Sequence, residues 1–165
     1  MKLLPSFALL VTTVTAVPDQ MLFNLVTASN DSHNGLYLST QSSGPLNSNA
    51  VFRDPANAGT FYLDNDTVRF EAQDEAPWNL ALVSGSNASG SVVVSVAQSS
   101  GSSGFGLANG SALTTTNNEF GGWLVCEDRS IGSLPGLHYV DKSVGGGLPD
   151  GCDGVQLDVK FKTSP

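Results

Sequence analysis

From about residue 20 onward, glycine, proline, asparagine, aspartate or serine clusters interrupt the chain roughly every 8–12 residues. Between the interruptions no stretch of about eleven residues carries a 3.6-residue apolar period. Ordinary amphipathic helices are therefore excluded, and the core must be assembled from short strands. Candidate strands are 21–27, 36–40, 50–53, 59–63, 67–72, 78–84, 91–98, 105–109, 111–116, 121–127, 137–141 and 154–161. The most strongly β-forming is SVVVSVAQ at 91–98, rich in β-branched valine. Asn34-Gly35 is a strong turn signal, Asp64-Asn65-Asp66 reads as a hairpin loop, and 105–109 can pair with 111–116 about Gly110. QSSGPLNSN at 41–49 reads as loop and SSGSSG at 99–104 as a flexible connector. The expected fold is all-β: a single-domain antiparallel β-sandwich or closed β-barrel of about 9–11 short strands.

The first residues set the compartment. Lys2 precedes an uncharged run from Leu3 to Val14, and small or short side chains lead to Ala16. This is the layout of a secretory signal peptide over residues 1–16, with cuts after Ala8 or Val17 as alternatives. Residues 17–165 then form one secreted β-rich domain. No later hydrophobic stretch reaches about 18 residues, so membrane insertion is not expected. The chain carries 15 acidic and 7 basic residues. Loss of Lys2 leaves 15 against 6, a net charge of −9. With no basic stripe, nucleic acid is a poor partner, and the scattered acids suit a solvated surface.

An exported chain meets an oxidising compartment, where Cys126 and Cys152 allow one intramolecular disulfide. Glycine- and proline-rich sequence lies between them, so a crosslink there restrains an otherwise loose segment. Four acceptor patterns for N-linked glycans begin at Asn30, Asn65, Asn87 and Asn109, all in predicted turns.

Motifs for chemistry are sparse. Glycoside hydrolysis needs two carboxylates at a fixed separation. The candidates are Asp74 or Glu75 with Glu119 or Glu127, together with Glu71 and Asp158 on predicted strands. Any acidic β protein offers such pairs, and no catalytic residue is assigned. His33 and His138 are far apart in sequence and form no HExxH, so no metal ligand is assigned. Asp64-x-Asp66 lacks the rest of a calcium loop. Asp150 and Asp153, around Cys152, suit a capped turn better than calcium. Gly101-Ser102-Ser103-Gly104 is one residue short of a nucleophile elbow, and no cofactor is expected. Trp78 and Trp123 are the candidate sugar-contact aromatics, with core packing the alternative for each.

TAVPDQMLFNLVTAS, the central GSVVVSVAQSSGSSGFGLANGS, and the late GGWLVCEDRS, LHYV and CDGVQLDV together resemble small secreted fungal cell-wall proteins of the phialide-development type. They are features of composition and order spread over most of residues 17–165, not a catalytic signature. The resemblance implies a wall-associated β domain of the elicitor or allergen kind, with cell-wall polysaccharide or a host surface receptor as partner. It carries no catalytic residues across. The long polar insert between the cysteines and the lack of an early cysteine pair depart from it. The expected function is that of a non-enzymatic secreted protein with a structural or host-interaction role. The alternatives are a carbohydrate-binding wall protein and a polysaccharide hydrolase using paired carboxylates.

Overall fold

The structure is a computed structural model that describes residues 20–163 apart from 75, 86–87, 97–100 and 128–131. The predicted signal peptide, Glu75 and Asn87 lie outside the described residues. The strands are β1 (Phe23–Ala28), β2 (Tyr37–Gly44), β3 (Asn47–Arg53), β4 (Phe61–Asp64), β5 (Thr67–Phe70), β6 (Trp78–Val83), β7 (Ser89–Ser95), β8 (Phe105–Ala108), β9 (Ala112–Thr115), β10 (Phe120–Glu127), β11 (Pro135–Asp141) and β12 (Cys152–Phe161). The one helical element among the described residues is a 3-10 turn, Pro55–Asn57, capped by the Asp54 carboxylate.

Every ladder is antiparallel. Through them nine strands close a ring in the order β1, β4, β5, β6, β7, β3, β11, β10, β12 and back to β1. The architecture is therefore a closed barrel rather than a sandwich, with β2, β8 and β9 joined to it. Closure removes strand edges that would otherwise invite pairing with other chains.

The same ladders sort into three four-stranded units: β1–β4, β5–β8 and β9–β12. Each contributes one hairpin, β2–β3, β6–β7 or β10–β11. The second strands of the three hairpins pair with one another through Asn49↔Val93, Tyr139↔Gly90 and Gly136↔Val51, forming a triangle. The remaining strands connect through β1–β4, β4–β5, β8–β9, β9–β12 and β12–β1. The Phe105 N–H donates to the Asp66 carbonyl at 2.9 Å, carrying the connection from the turn before β5 to β8. This is the strand pattern of a β-trefoil. Two units keep a sequence trace of the repeat: Phe61-x-Leu63-x-Asn65 and Phe105-x-Leu107-x-Asn109. Both asparagines sit in the left-handed region, with φ of 55° and 52°, which a short side chain able to bond its own backbone tolerates.

All three units feed one core. Phe23, Leu25, Leu38 and Phe61 come from the first, Val68, Leu80, Val94 and Phe105 from the second, and Leu113, Trp123, Leu137 and Leu157 from the third. Alternation along each strand sends these side chains inward. Each large one contributes roughly 1.5–3 kcal/mol on burial.

Two sequence expectations are corrected. The 41–49 segment is not a loop: β2 runs to Gly44 and β3 begins at Asn47, with Gln41↔Asn49 and Ser42↔Ser48 in register. Its polar side chains hid the strands because much of this hairpin faces solvent, where burial does not select apolar residues. The connector before β8 is also held where it is described. The Ser102 N–H donates to the Leu80 carbonyl at 3.2 Å, and Ser102 Oγ accepts the Leu82 N–H at 2.9 Å.

Cys126 and Cys152 face each other across the β10–β12 ladder and form the expected disulfide. By loop entropy it contributes about 3 kcal/mol. Replacing both cysteines by serine should lower the urea midpoint accordingly. At Gly90 an added Cβ would lie 2.2 Å from the Tyr139 ring on the facing strand. Gly90→Ala is expected to cost about 1–3 kcal/mol, read as a lower urea midpoint with an unchanged slope.

Candidate functional site

The chain leaves β5 at Phe70 and re-enters β6 at Trp78, and these two residues pair directly. The intervening segment projects from the barrel. Its base is fixed by the Glu71 N–H donating to the Thr60 carbonyl at 2.9 Å. Asp74 then orders its tip, accepting the Ala76 N–H at 3.3 Å and the Trp78 indole N–H at 3.0 Å. With Nε1 committed to Asp74, the half-buried indole is held at one orientation. It borders an open depression of about 490 Å3. Glu71, Gln73 and Asp74 line it from the projecting segment, and Ser39, Thr40 and Thr60 from neighbouring strands and connections. The result is one oriented aromatic among carboxylates, an amide and hydroxyls, with Phe70 packed edge-on against Phe61 behind it. Such a set can stack on an apolar ring face while bonding hydroxyls around it.

Trp123 does not share this role. It is only 4 % exposed, its indole N–H donates to the Leu113 carbonyl at 2.8 Å, and its ring stacks with Phe105 and meets Phe120 edge-on. The expectation of a second sugar-contact aromatic is corrected: Trp123 closes the core of the third unit.

A second depression, of about 590 Å3, lies where the threefold relation carries the first. The end of β1 and the β1–β2 turn replace the end of β5 and its projecting segment. β10, β11 and β12 replace β2, β3 and the connection into β4. Asn30, Asp31, Gly122, Val140 and Gln156 line it. At its rim the turn brings Asp31 and His33 to Asp153 at the start of β12. His33 Nδ1 lies 3.0 Å from Asp153 Oδ2 and 3.6 Å from Asp31 Oδ1. His33 and Asp153 stand at opposite ends of the chain, and only barrel closure joins them. The Ser29 hydroxyl, with the His33 N–H, holds the Asp31 carboxyl below the usual carboxylate range.

The other candidates are dispersed. Asn30, Asn65 and Asn109 are exposed, in the β1–β2, β4–β5 and β8–β9 turns respectively. Of the proposed acid pair members, Glu71 and Asp74 border the same depression, but both come from the segment after β5. Glu119 and Glu127 flank opposite ends of β10 and are exposed. Asp158, on β12, accepts from Gln156 Nε2 at 2.6 Å. The Asp64 and Asp66 carboxylates are engaged by Arg69 at 2.7 Å and the Gly104 N–H at 3.0 Å. His138 sits on β11 opposite Leu124 and Ser91, outside the Asp31–His33–Asp153 group.

Residues 20–161 match the family described as a domain of unknown function, DUF7907. The match spans both depressions and every strand, and the chain belongs to that family. No curated protein and no solved structure matches it. Among the described residues no helix is long and apolar enough to cross a membrane.

One buried carboxylate serves the fold. Asp141, 1 % exposed at the end of β11, accepts the Ser143 hydroxyl at 2.5 Å and the Ser143 N–H at 3.0 Å, which hold its carboxyl below the usual range. Burial pushes the neighbouring Tyr139 hydroxyl up. A lowered folded-state pKa gives Asp141 a stabilising effect that is complete above the unfolded value of about 3.9 and lost as pH falls through the lower folded value. Urea midpoints of the native protein and Asp141→Asn should therefore differ by a constant amount above about pH 4 and draw together as the pH falls further into the acid range.

Proposed function

We propose that this is a secreted, non-enzymatic carbohydrate-binding protein that associates with wall polysaccharide through the Trp78 depression. The observation that carries this reading is the indole held by Asp74 at 3.0 Å beside an open, hydroxyl- and carboxylate-lined hollow. An oriented aromatic loses little side-chain freedom on binding, and the surrounding hydroxyls, amide and carboxylates can pair with sugar hydroxyls. Export is supported by the signal-like residues 1–16, by the Cys126–Cys152 bridge, and by acceptor asparagines at exposed turns. The resemblance to wall proteins points to the same partner class. Glu71 and Asp74 reach the depression from one segment, with Asp74 already bonded to Trp78, an arrangement that suits contact with hydroxyls better than paired acid catalysis.

The test is retention of the purified protein on chitin, on β-glucan and on intact fungal walls. Retention on at least one is expected, with Trp78→Ala weakening it roughly tenfold, about 1.4 kcal/mol. Trp78→Phe, which keeps a ring, should weaken it less. No retention on any of the three, or equal retention of Trp78→Ala, overturns the reading.

A further inference from the structure

The rim of the second depression holds three donors with the chemistry of a cation site. His33 contributes Nδ1, and Asp31 and Asp153 each contribute a carboxylate oxygen, all within 4.8 Å of one another. The His33 side chain is 13 % exposed, and its Nδ1 is shut off from solvent without a hydrogen-bond partner. The Asp153 oxygen 3.0 Å away therefore lies off the direction in which a ring N–H would point. A close but misaligned nitrogen and oxygen describe a poor hydrogen bond. They also describe two donors facing a common centre. With metal–ligand bonds of about 2.1 Å, donors stand about 3.0 Å apart at a right angle and about 3.4 Å apart at the tetrahedral angle. The separations of 3.0 and 3.6 Å from His33 Nδ1 to the two carboxylate oxygens bracket that range.

The supports are built in. Thr27, buried in β1, accepts the Leu36 N–H at 2.9 Å and donates to the His33 carbonyl, which fixes the turn. Asp31 Oδ1 accepts the Ser29 hydroxyl at 2.7 Å and the His33 N–H at 2.8 Å. Asp153 is held in the β10 ladder opposite Val125, next to the bridged Cys152. The Asp153 carboxylate is 53 % exposed, so its side chain can rotate onto an ion while the imidazole and the Asp31 carboxylate stay in place. Outer partners that orient ligands in this way are a usual part of metal sites.

We infer that Asp31, His33 and Asp153 bind a first-row divalent cation, Zn2+ by donor type, with the solvent side open to water. An imidazole nitrogen favours zinc over calcium or magnesium, which prefer oxygen-only shells. The ion ties the first turn of the chain to its last strand. The site is independent of Trp78 and of the sugar-binding reading.

Titration calorimetry of Zn2+ into chelator-treated full chain tests it. One ion per chain is expected, with Zn2+ raising the melting temperature. His33→Ala and Asp153→Asn should each weaken binding at least tenfold, while His138→Ala leaves it unchanged. Substituting Co2+ should produce visible absorption bands in the native protein that are lost in His33→Ala. Since His33 is in a turn outside the core, circular dichroism should show each variant folded. Absence of Zn2+ binding by the native protein leaves only a histidine–aspartate contact and overturns the inference. So does equal binding by His33→Ala.

Discussion

The first strand pairs with the last, and the remainder of the molecule depends on that ladder. Phe23 to Ala28 lie in unbroken register against Phe161 to Gln156. This pairing joins the third unit to the first and encloses a core in which Phe23 and Leu25 meet Leu157 and Val159. It is also the contact of greatest sequence separation in the barrel, so its loop-closure cost must be met by hydrophobic burial formed alongside it. The disulfide reinforces the same region, because it fastens the start of β12 to β10.

Closure also creates the surface features. The two depressions occupy related places in a threefold frame, one bordered by the segment after β5 and the other by the turn after β1. At these two places the frame supplies a hollow between hairpin and connection, and the connecting residues decide its chemistry. In one copy Asp74 orients an indole. In the other, Asp31 and His33 meet Asp153. A shared scaffold with divergent connections is how one fold carries unrelated sites, and the fold alone does not name a ligand.

Strand content was readable because period-two patterning and turn residues are local signals. Asn34-Gly35, the Asp64–Asp66 turn and the Gly110 turn all lie where their chemistry places them, with Gly35 and Gly110 at φ of 79° and 74°. The threefold repeat was harder to see. Its trace survives in 61–65 and 105–109, while the third unit carries LDVKF at 157–161 instead. The 41–49 hairpin was hidden by its serines and asparagines, which are compatible with pairing wherever one face is solvated. At the sites, Trp78 and Trp123 looked alike. Neighbouring sequence does not reveal that one indole N–H reaches a surface carboxylate and the other a buried carbonyl.

The sequence by itself determined an all-β chain, the positions of most turns, an acidic surface without a basic stripe, and the only disulfide that two cysteines permit within one chain. Each follows from short-range stereochemistry, charge or counting. Tertiary structure alone decided that the strands close into a barrel of three related units, that Trp123 is core while Trp78 borders a hollow, and that His33 stands against Asp153. Those outcomes depend on which strands pair across the whole chain. That choice is made by the combined burial of side chains from all three units, and no single segment encodes it.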